Sequence, residues 1–388
     1  MNEQLNLFNT EEEFNFEEMK QKLIDNLDML KEMTVQEQTL YKKWQEMNKG
    51  GKMSKIKKKL LSYQKNLWKP TDIYNIEQTI QEIENLDPYV EIATQGKGVT
   101  EWVNYRKLIH TMEWVANPGR NMKFWVRDRK TQKVLGLICL GSDVTSIKVR
   151  DAYIGWDKTN KFDQHKLNNT AIATTICSTQ PGGYNMLMGK LVAALTTCKT
   201  IRDAWEEKYG DKLIAVGTTS LYGINSMYNG MPHFKTMGET TGQVRLKPDD
   251  KVYLPWNTWL KNNHPEEHNK AINATGPKQN ILNKVFKHCG IKASTYDHGF
   301  KRGVYLAMMY DNGNEFLRGE VEESNLKMKQ KFIDDVEYTC RWWKPKAIRR
   351  YKNLTTQQRI KKEQLFYWDV IDMSWQSTKE NYIGEVGR

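Results

Sequence analysis

The sequence predicts a mixed α/β core with a helical extension before it and a basic, helical region after it. Three observations carry that expectation: a β-rich hairpin within residues 121–140, a strand–turn–helix–strand run from 170 to 216, and apolar residues at helical spacing on both flanks. A chain of 388 residues also exceeds the roughly 250–300 at which single cores stop growing, so appendages to a main domain are expected. The boundaries read from the sequence are 1–100 for the N-terminal extension, 101–256 for the core and 257–388 for the C-terminal, Trp-containing helical region.

Taken in order, Phe16, Met19, Leu23, Leu27 and Leu30 recur at helical spacing, and Asn48-Lys49-Gly50-Gly51 breaks the pattern into two arms. The second arm sets Lys52, Lys55, Lys57, Lys58 and Lys59 beside Leu60, Leu61, Tyr63 and Trp68. It reads either as a phosphate-contacting helix or as the solvated face of an amphipathic one. Residues 73–86 and 100–115 read as further helices. Residues 121–127 (NMKFWVR) and 133–140 (KVLGLICL), separated by a polar turn, form the hairpin signal, and a short strand is expected at 151–156.

Residues 170–177 (TAIATTIC) are β-branched and uncharged, as in a strand buried on both faces. A turn, Ser178-Thr179-Gln180-Pro181-Gly182-Gly183, opens a helix expected over 186–209, which Gly210 stops. Residues 213–216 (LIAV) are the next buried strand, expected to lie parallel to 170–177 through a right-handed crossover. From Pro255 the pattern is helical and mixed.

The formal charge of +12, from 59 Lys and Arg against 47 Asp and Glu, favours a polyanionic partner: nucleic acid first, an anionic membrane second. Aromatic residues make up 11% of the chain, including 13 Trp, and suit base stacking as well as ordinary cores. The five cysteines lack C-x-x-C spacing, so neither a disulfide framework nor a zinc ribbon is expected. The Glu- and Asn-rich start lacks the form of a signal peptide, and no run approaches the roughly 18 apolar residues of a membrane span. A reducing, cytoplasmic setting without membrane attachment is expected.

A Gly-rich turn between a buried strand and a helix presents backbone N–H groups that bind phosphate, which makes Gln180, Gly182 and Gly183 candidate cofactor-binding residues. The alternative is a tight turn alone. His264-Pro265-Glu266-Glu267-His268 matches the H-x-x-E-H zinc pattern, but Pro265 belongs at the first position of a helix, which leaves His264 at the cap, and no metal is expected. Toward the C-terminus, Trp342, Trp343, Lys344, Arg349 and Arg350, with Arg359, Lys361 and Lys362 beyond, alternate aromatic and cationic groups. Arg302 lies in another Gly-flanked basic turn. All these suit a nucleic-acid surface, and the two Trp suit core packing equally.

The order of hairpin, buried strand, Gly-containing turn, helix and further strand resembles the GNAT acyltransferase fold. That resemblance implies a turn holding the pyrophosphate of an acyl-coenzyme A or related acyl donor, and a following strand that splays away to admit the acyl arm. Gly155-Trp156, Asn168-Asn169, residues 204–210 (AWEEKYG), Ser226-Met227-Tyr228 and residues 238–242 (GETTG) are similar to a phage and bacterial group that includes the Mom DNA-modification proteins and the Druantia protein A family. The likeness covers about residues 114–244, and more faintly 299–351. Gly217-Thr218 stands where Druantia-like members have Glu-Thr, so no carboxylate role carries over. The Mom-like side implies transfer of a small carbamoyl-type group to adenine in DNA, which protects DNA against restriction. The Druantia-like side implies a non-catalytic nucleic-acid-binding module in a defence or mobile-element complex.

Acyl transfer needs a positioned donor, hydrogen bonds to the developing oxyanion and a route for the proton. Ser220 and Tyr222, just past the second buried strand, and Tyr228, as a general acid, are the catalytic candidates. Arg120, Asn168 and Asn169 are the substrate-binding ones. Turn chemistry, core packing and a solvated loop are the respective alternatives.

Overall fold

The structure, a computed structural model, describes residues 14–48, 62–116, 119–224, 226–241, 245–274, 276–361 and 374–382. The lysines between 52 and 59, with Leu60, Leu61 and Lys362, lie outside the described residues. The chain divides into two compact units, residues 1–38 with 241–300, and residues 39–240 with 301–388.

Asn15 caps α1 (Phe16–Glu32) by accepting from Glu18 N at 3.2 Å, and the helix buries Leu23, Leu27 and Leu30 along one stripe. α2 (Val35–Asn48) opens on a reciprocal cap, with Glu37 N donating to Thr34 Oγ1 at 3.2 Å and Thr34 N to Glu37 Oε2 at 2.8 Å. α3 (Ile76–Asn85) leads to β1 (Pro88–Ile92), and α4 (Lys97–Ile109) to the hairpin β2 (Asn121–Asp128) and β3 (Val134–Ser142). α5 (Lys148–Ile154) precedes β4 (Thr170–Ser178). α6 (Gly182–Met186), α7 (Met188–Ala194) and α8 (Lys199–Tyr209) cross to β5 (Ala215–Ser220), and β6 (Lys235–Glu239) follows.

After Thr240 the chain enters the first unit, as α9 (Asp250–Asn263), α10 (Pro265–Ile272) and α11 (Pro277–His288). It returns as β7 (Gly303–Met308), α12 (Gly313–Leu317), α13 (Gln330–Ile333), the long α14 (Asp335–Thr356) and α15 (Trp375–Tyr382).

In the first unit Trp256 donates its indole N–H to Met19 O at 3.3 Å, and Phe16 packs edge-on against it at 5.2 Å. Pro265 takes the first position of α10 with His264 as its cap. His268 is bonded to Asn257 and His288 to Glu267, at 3.2 and 2.9 Å. Among the described residues no cluster of three or more His, Cys, Asp or Glu is arranged to hold a metal ion.

The second unit is built on a seven-stranded sheet in the order β1-β2-β3-β4-β5-β7-β6. Every pairing is antiparallel except β4 with β5, which run parallel as the sequence predicts. That parallel ladder spans only Thr170–Ile172 against Ala215–Gly217; β4 then continues to Ser178 away from β5. β7 is buried at all six positions, as its place between β5 and β6 requires. Gly303 is a packing necessity: a Cβ there would lie 2.1 Å from the carbonyl oxygen of Gly223.

Four sequence expectations are corrected. Residues 151–156 lie in α5 and its cap, because Arg150 and Ile154 are buried one turn apart and Gly155, at φ 80°, closes the helix by donating to Asp151 O. The single helix over 186–209 is three pieces: Leu187 is left-handed, and the Thr196 and Thr197 hydroxyls bond back to Ala193 O and Ala194 O ahead of an extended Cys198. The second buried strand runs over Ala215–Ser220. The region beyond 256, expected to be helical, contributes the central strand β7.

Candidate nucleic-acid interface

Because β4 and β5 are parallel, their C-terminal ends open at one edge of the sheet. Ser220 closes β5, is buried, and its Oγ accepts from Tyr222 N at 3.1 Å. Tyr222 stands 39% exposed, and burial of the rest of its ring raises the phenol's pKa. Tyr228 is sunk below, between the rings of Phe234 and Tyr305 at 5.6 and 5.0 Å. Burial there pushes its phenol up to about 12, against a hydrogen bond with Thr218. Arg302, one residue before β7, is half-buried; burial lowers its pKa and its Nε has no hydrogen-bond partner.

At the same edge, Gly182 and Gly183 permit a tight turn: a Cβ on Gly183 would meet Gln180 Nε2 at 2.5 Å and Ser178 Oγ at 2.6 Å. Three amides of this turn and of the helix it opens are bonded within it. Gly183 N donates to Thr179 O at 2.9 Å, Tyr184 N to Gln180 Oε1 at 3.0 Å and Asn185 N to Pro181 O at 3.0 Å.

Arg120, Asn168 and Asn169 gather at the other end of these strands. Arg120 donates to Asn168 O at 3.2 Å, pairs with Asp211 and lies 4.9 Å over the Tyr209 ring, while Asn169 donates to Lys212 O at 2.9 Å. These bonds fasten the starts of β4 and β5. The structure thus places Ser220, Tyr222, Gly182 and Gly183 at one edge and does not bring Arg120, Asn168 or Asn169 to them.

α14 separates the C-terminal candidates by helical face. Trp343 is fully buried and donates to Met186 O and Leu187 O at 3.1 and 3.0 Å, so it is a core residue. Trp342 is half-buried with Lys346 5.8 Å over its ring, and Lys344 is bonded to Glu84 O at 2.7 Å. Arg349 is exposed. Arg350 lies 5.2 Å from the Tyr184 ring, and Lys361 Nζ is 4.9 Å from the same ring.

Lys190, on α7, donates to Met227 O and Asn229 O at 2.6 and 2.7 Å; burial and the nearby Lys346 lower its pKa. Lys190, Lys346, Arg349 and Arg350 have no carboxylate partner among the described residues. Sequence reasoning missed Tyr184 and Lys190. Tyr184 was one step beyond the Gly-rich turn, and Lys190 lies within the helical run that followed.

The family model described as Druantia protein DruA matches residues 36–319. The chain belongs to the Druantia protein DruA family. It is also 24% identical over 289 residues to the Druantia protein DruA of Escherichia coli strain UMEA 4076-1, covering 69% of this chain and 70% of that relative. No solved structure matches. Of the two resemblances read from the sequence, these matches carry the DruA one and not the Mom one. The DruA match takes in the seven-stranded sheet, the Gly182-Gly183 turn and Lys190, and ends before α14. No described helix is long and apolar enough to cross a membrane.

Proposed function

We propose that the chain is a nucleic-acid-contacting component of a Druantia-type defence complex, holding a phosphate backbone along Lys190, Lys346, Arg349 and Arg350. The observation that carries this reading is the convergence of Lys190, Lys346 and Arg350, from α7 and α14, beside Tyr184 and Trp342 without carboxylate partners, with Arg349 exposed on the same helix. Surface cations held close together repel one another, and a polyanion relieves that repulsion. Each phosphate neutralised releases counterions and adds about 0.9 to the slope of log affinity against log salt. Replacing Lys346, Arg349 and Arg350 by Gln is expected to weaken DNA binding and to flatten that slope by roughly two to three units. The control is Lys199→Gln, an exposed lysine whose amine is paired with the Asp203 carboxylate. A slope unchanged in the triple variant overturns the assignment.

One observation favours a second reading, an acyltransferase-like enzyme that modifies adenine in DNA. The parallel ladder ends at Gly217, so β4 and β5 are unpaired beyond it, as are the splayed strands that admit an acyl donor in GNAT-like proteins. In this reading Ser220 and Tyr222 face the donor, and nucleoside mass spectrometry of DNA from cells expressing the chain would find a modified adenosine that is absent with Ser220→Ala and Tyr222→Phe. Unmodified DNA from cells in which the folded chain is abundant removes this reading and leaves the first standing.

A further inference from the structure

Three of the large apolar side chains exposed on the described surface fall within six residues of one another. Tyr222, Ile224 and Met227, in the turn after β5, are 39%, 43% and 37% exposed. The described residues of this turn, 222–224 and 226–229, are held by hydrogen bonds at several points. Tyr222 N is bonded to Ser220 Oγ, and Gly223 O accepts from the Tyr305 hydroxyl at 3.2 Å. Ile224 O accepts from the Asn229 side chain, Tyr228 N is held by Ser226 Oγ at 3.3 Å, and Met227 O and Asn229 O both receive Lys190 Nζ. Tyr228 roots the turn in a buried cluster with Phe234 and Tyr305. Exposed apolar groups gain nothing from solvent, and patches of them mark contact sites.

Charge settles the kind of occupant. Lys190, which pins this turn, is close enough to Lys346 for the two to interact, and Met227 Sδ lies 3.0 Å from where a Cβ on Gly189 would stand. The apolar knob is therefore continuous with the cationic stripe. A paired duplex hides its bases and presents phosphates and groove edges, whereas a single strand offers base faces and phosphates side by side.

We infer that Tyr222, Ile224 and Met227 form a base-contacting knob, and that the nucleic acid on the Lys190–Lys346–Arg350 stripe is single-stranded. This rests on the phosphate-binding reading above and adds the choice of strand state. Tyr222 supplies an aromatic face for one base, Ile224 and Met227 flank the next, and the stripe carries the connecting phosphates.

The test uses the full-length chain, an oligo(dT) and a mixed-sequence duplex of equal length, with affinities measured across a salt series. The wild-type chain is expected to favour oligo(dT). Tyr222→Ala with Ile224→Ser and Met227→Ser should lose roughly tenfold or more in oligo(dT) affinity while its salt slope and duplex affinity stay unchanged. Tyr222→Trp alone should retain oligo(dT) binding, which separates stacking from folding. The Lys346, Arg349 and Arg350 variant should instead lose affinity for both ligands together with its salt slope. Equal oligo(dT) affinity in the knob variant overturns this inference and leaves the phosphate surface intact; failure of both ligands to bind the wild-type chain overturns the surface itself. A knob variant that keeps both affinities but loses self-association on sedimentation assigns the patch to protein docking, and also overturns the inference.

Discussion

His233 is buried beneath α14, with Nε2 3.1 Å from Thr339 Oγ1, Nδ1 without a partner, and the rings of Phe332, Tyr338 and Trp342 around it. Burial, with Lys331 nearby, lowers its pKa from 6.5 to about 4. Its folded pKa lies below its unfolded one, so as the pH falls through 6.5 the unfolded chain takes the proton first and stability drops until about pH 4. The loss attributable to this residue is about 3 kcal/mol. Urea unfolding of His233→Gln across that window should show a smaller loss on acidification than the wild-type chain; parallel losses would mean that His233 titrates normally. The neighbouring residues show what the sequence conceals at this scale. Trp342 and Trp343 are adjacent and read alike, yet a helix turns them about 100° apart, so one is core and the other borders the surface. Lys344 and Arg349 also read alike, and only the fold shows that the former is bonded to a carbonyl while the latter is exposed.

Among the elements, the β2–β3 hairpin and the parallel pair β4–β5 were legible, because a polar turn and a charge-free β-branched run are local signals. β7 was not. Its six buried residues, GVYLAM, form a short apolar run with no alternation, which periodicity cannot tell from a buried helical turn. β1 and β6 span five residues each and carry charged side chains, and only pairing with β2 and β7 makes them strands. The candidate site was legible in part for the same reason. Ser220, Tyr222 and the Gly182-Gly183 turn are placed by local strand ends, whereas Lys190 and Arg350 approach them only through the packing of α7 and α14. Gly303 joins β7 to the Tyr222 turn, since its missing side chain lets the Gly223 carbonyl approach. Gly303→Ala must push that carbonyl aside, at a cost of about 2–3 kcal/mol in unfolding free energy. It should also lower oligo(dT) affinity without changing the salt slope, because the knob moves while the stripe stays. An unshifted denaturation midpoint would show that the turn yields freely.

At the scale of the whole chain, the first unit interrupts the second. Residues 241–300 leave after β6 and come back at β7, and these strands are antiparallel partners, with Glu239 opposite Gly303. Thr240 N donates to Arg302 O at 2.9 Å and Arg302 N to Thr240 Oγ1 at 3.0 Å, so the chain departs and returns at one point. β6 and β7 are therefore a hairpin whose tip has been replaced by sixty residues that fold with the N-terminal helix. Such an insertion is removable in principle, because neither end of it carries a strand of the sheet. A chain of residues 39–240 joined to 302–388 by an Asn-Gly turn should fold cooperatively, since Asn-Gly closes two-residue hairpins with the right twist. Since Tyr184, Lys190, Tyr222 and α14 all belong to the second unit, that shortened chain should also bind oligo(dT) with the salt slope of the full-length protein. A folded shortened chain that has lost binding would place the nucleic-acid surface in the first unit. A chain that fails to fold would show instead that the hairpin needs its long insertion to form.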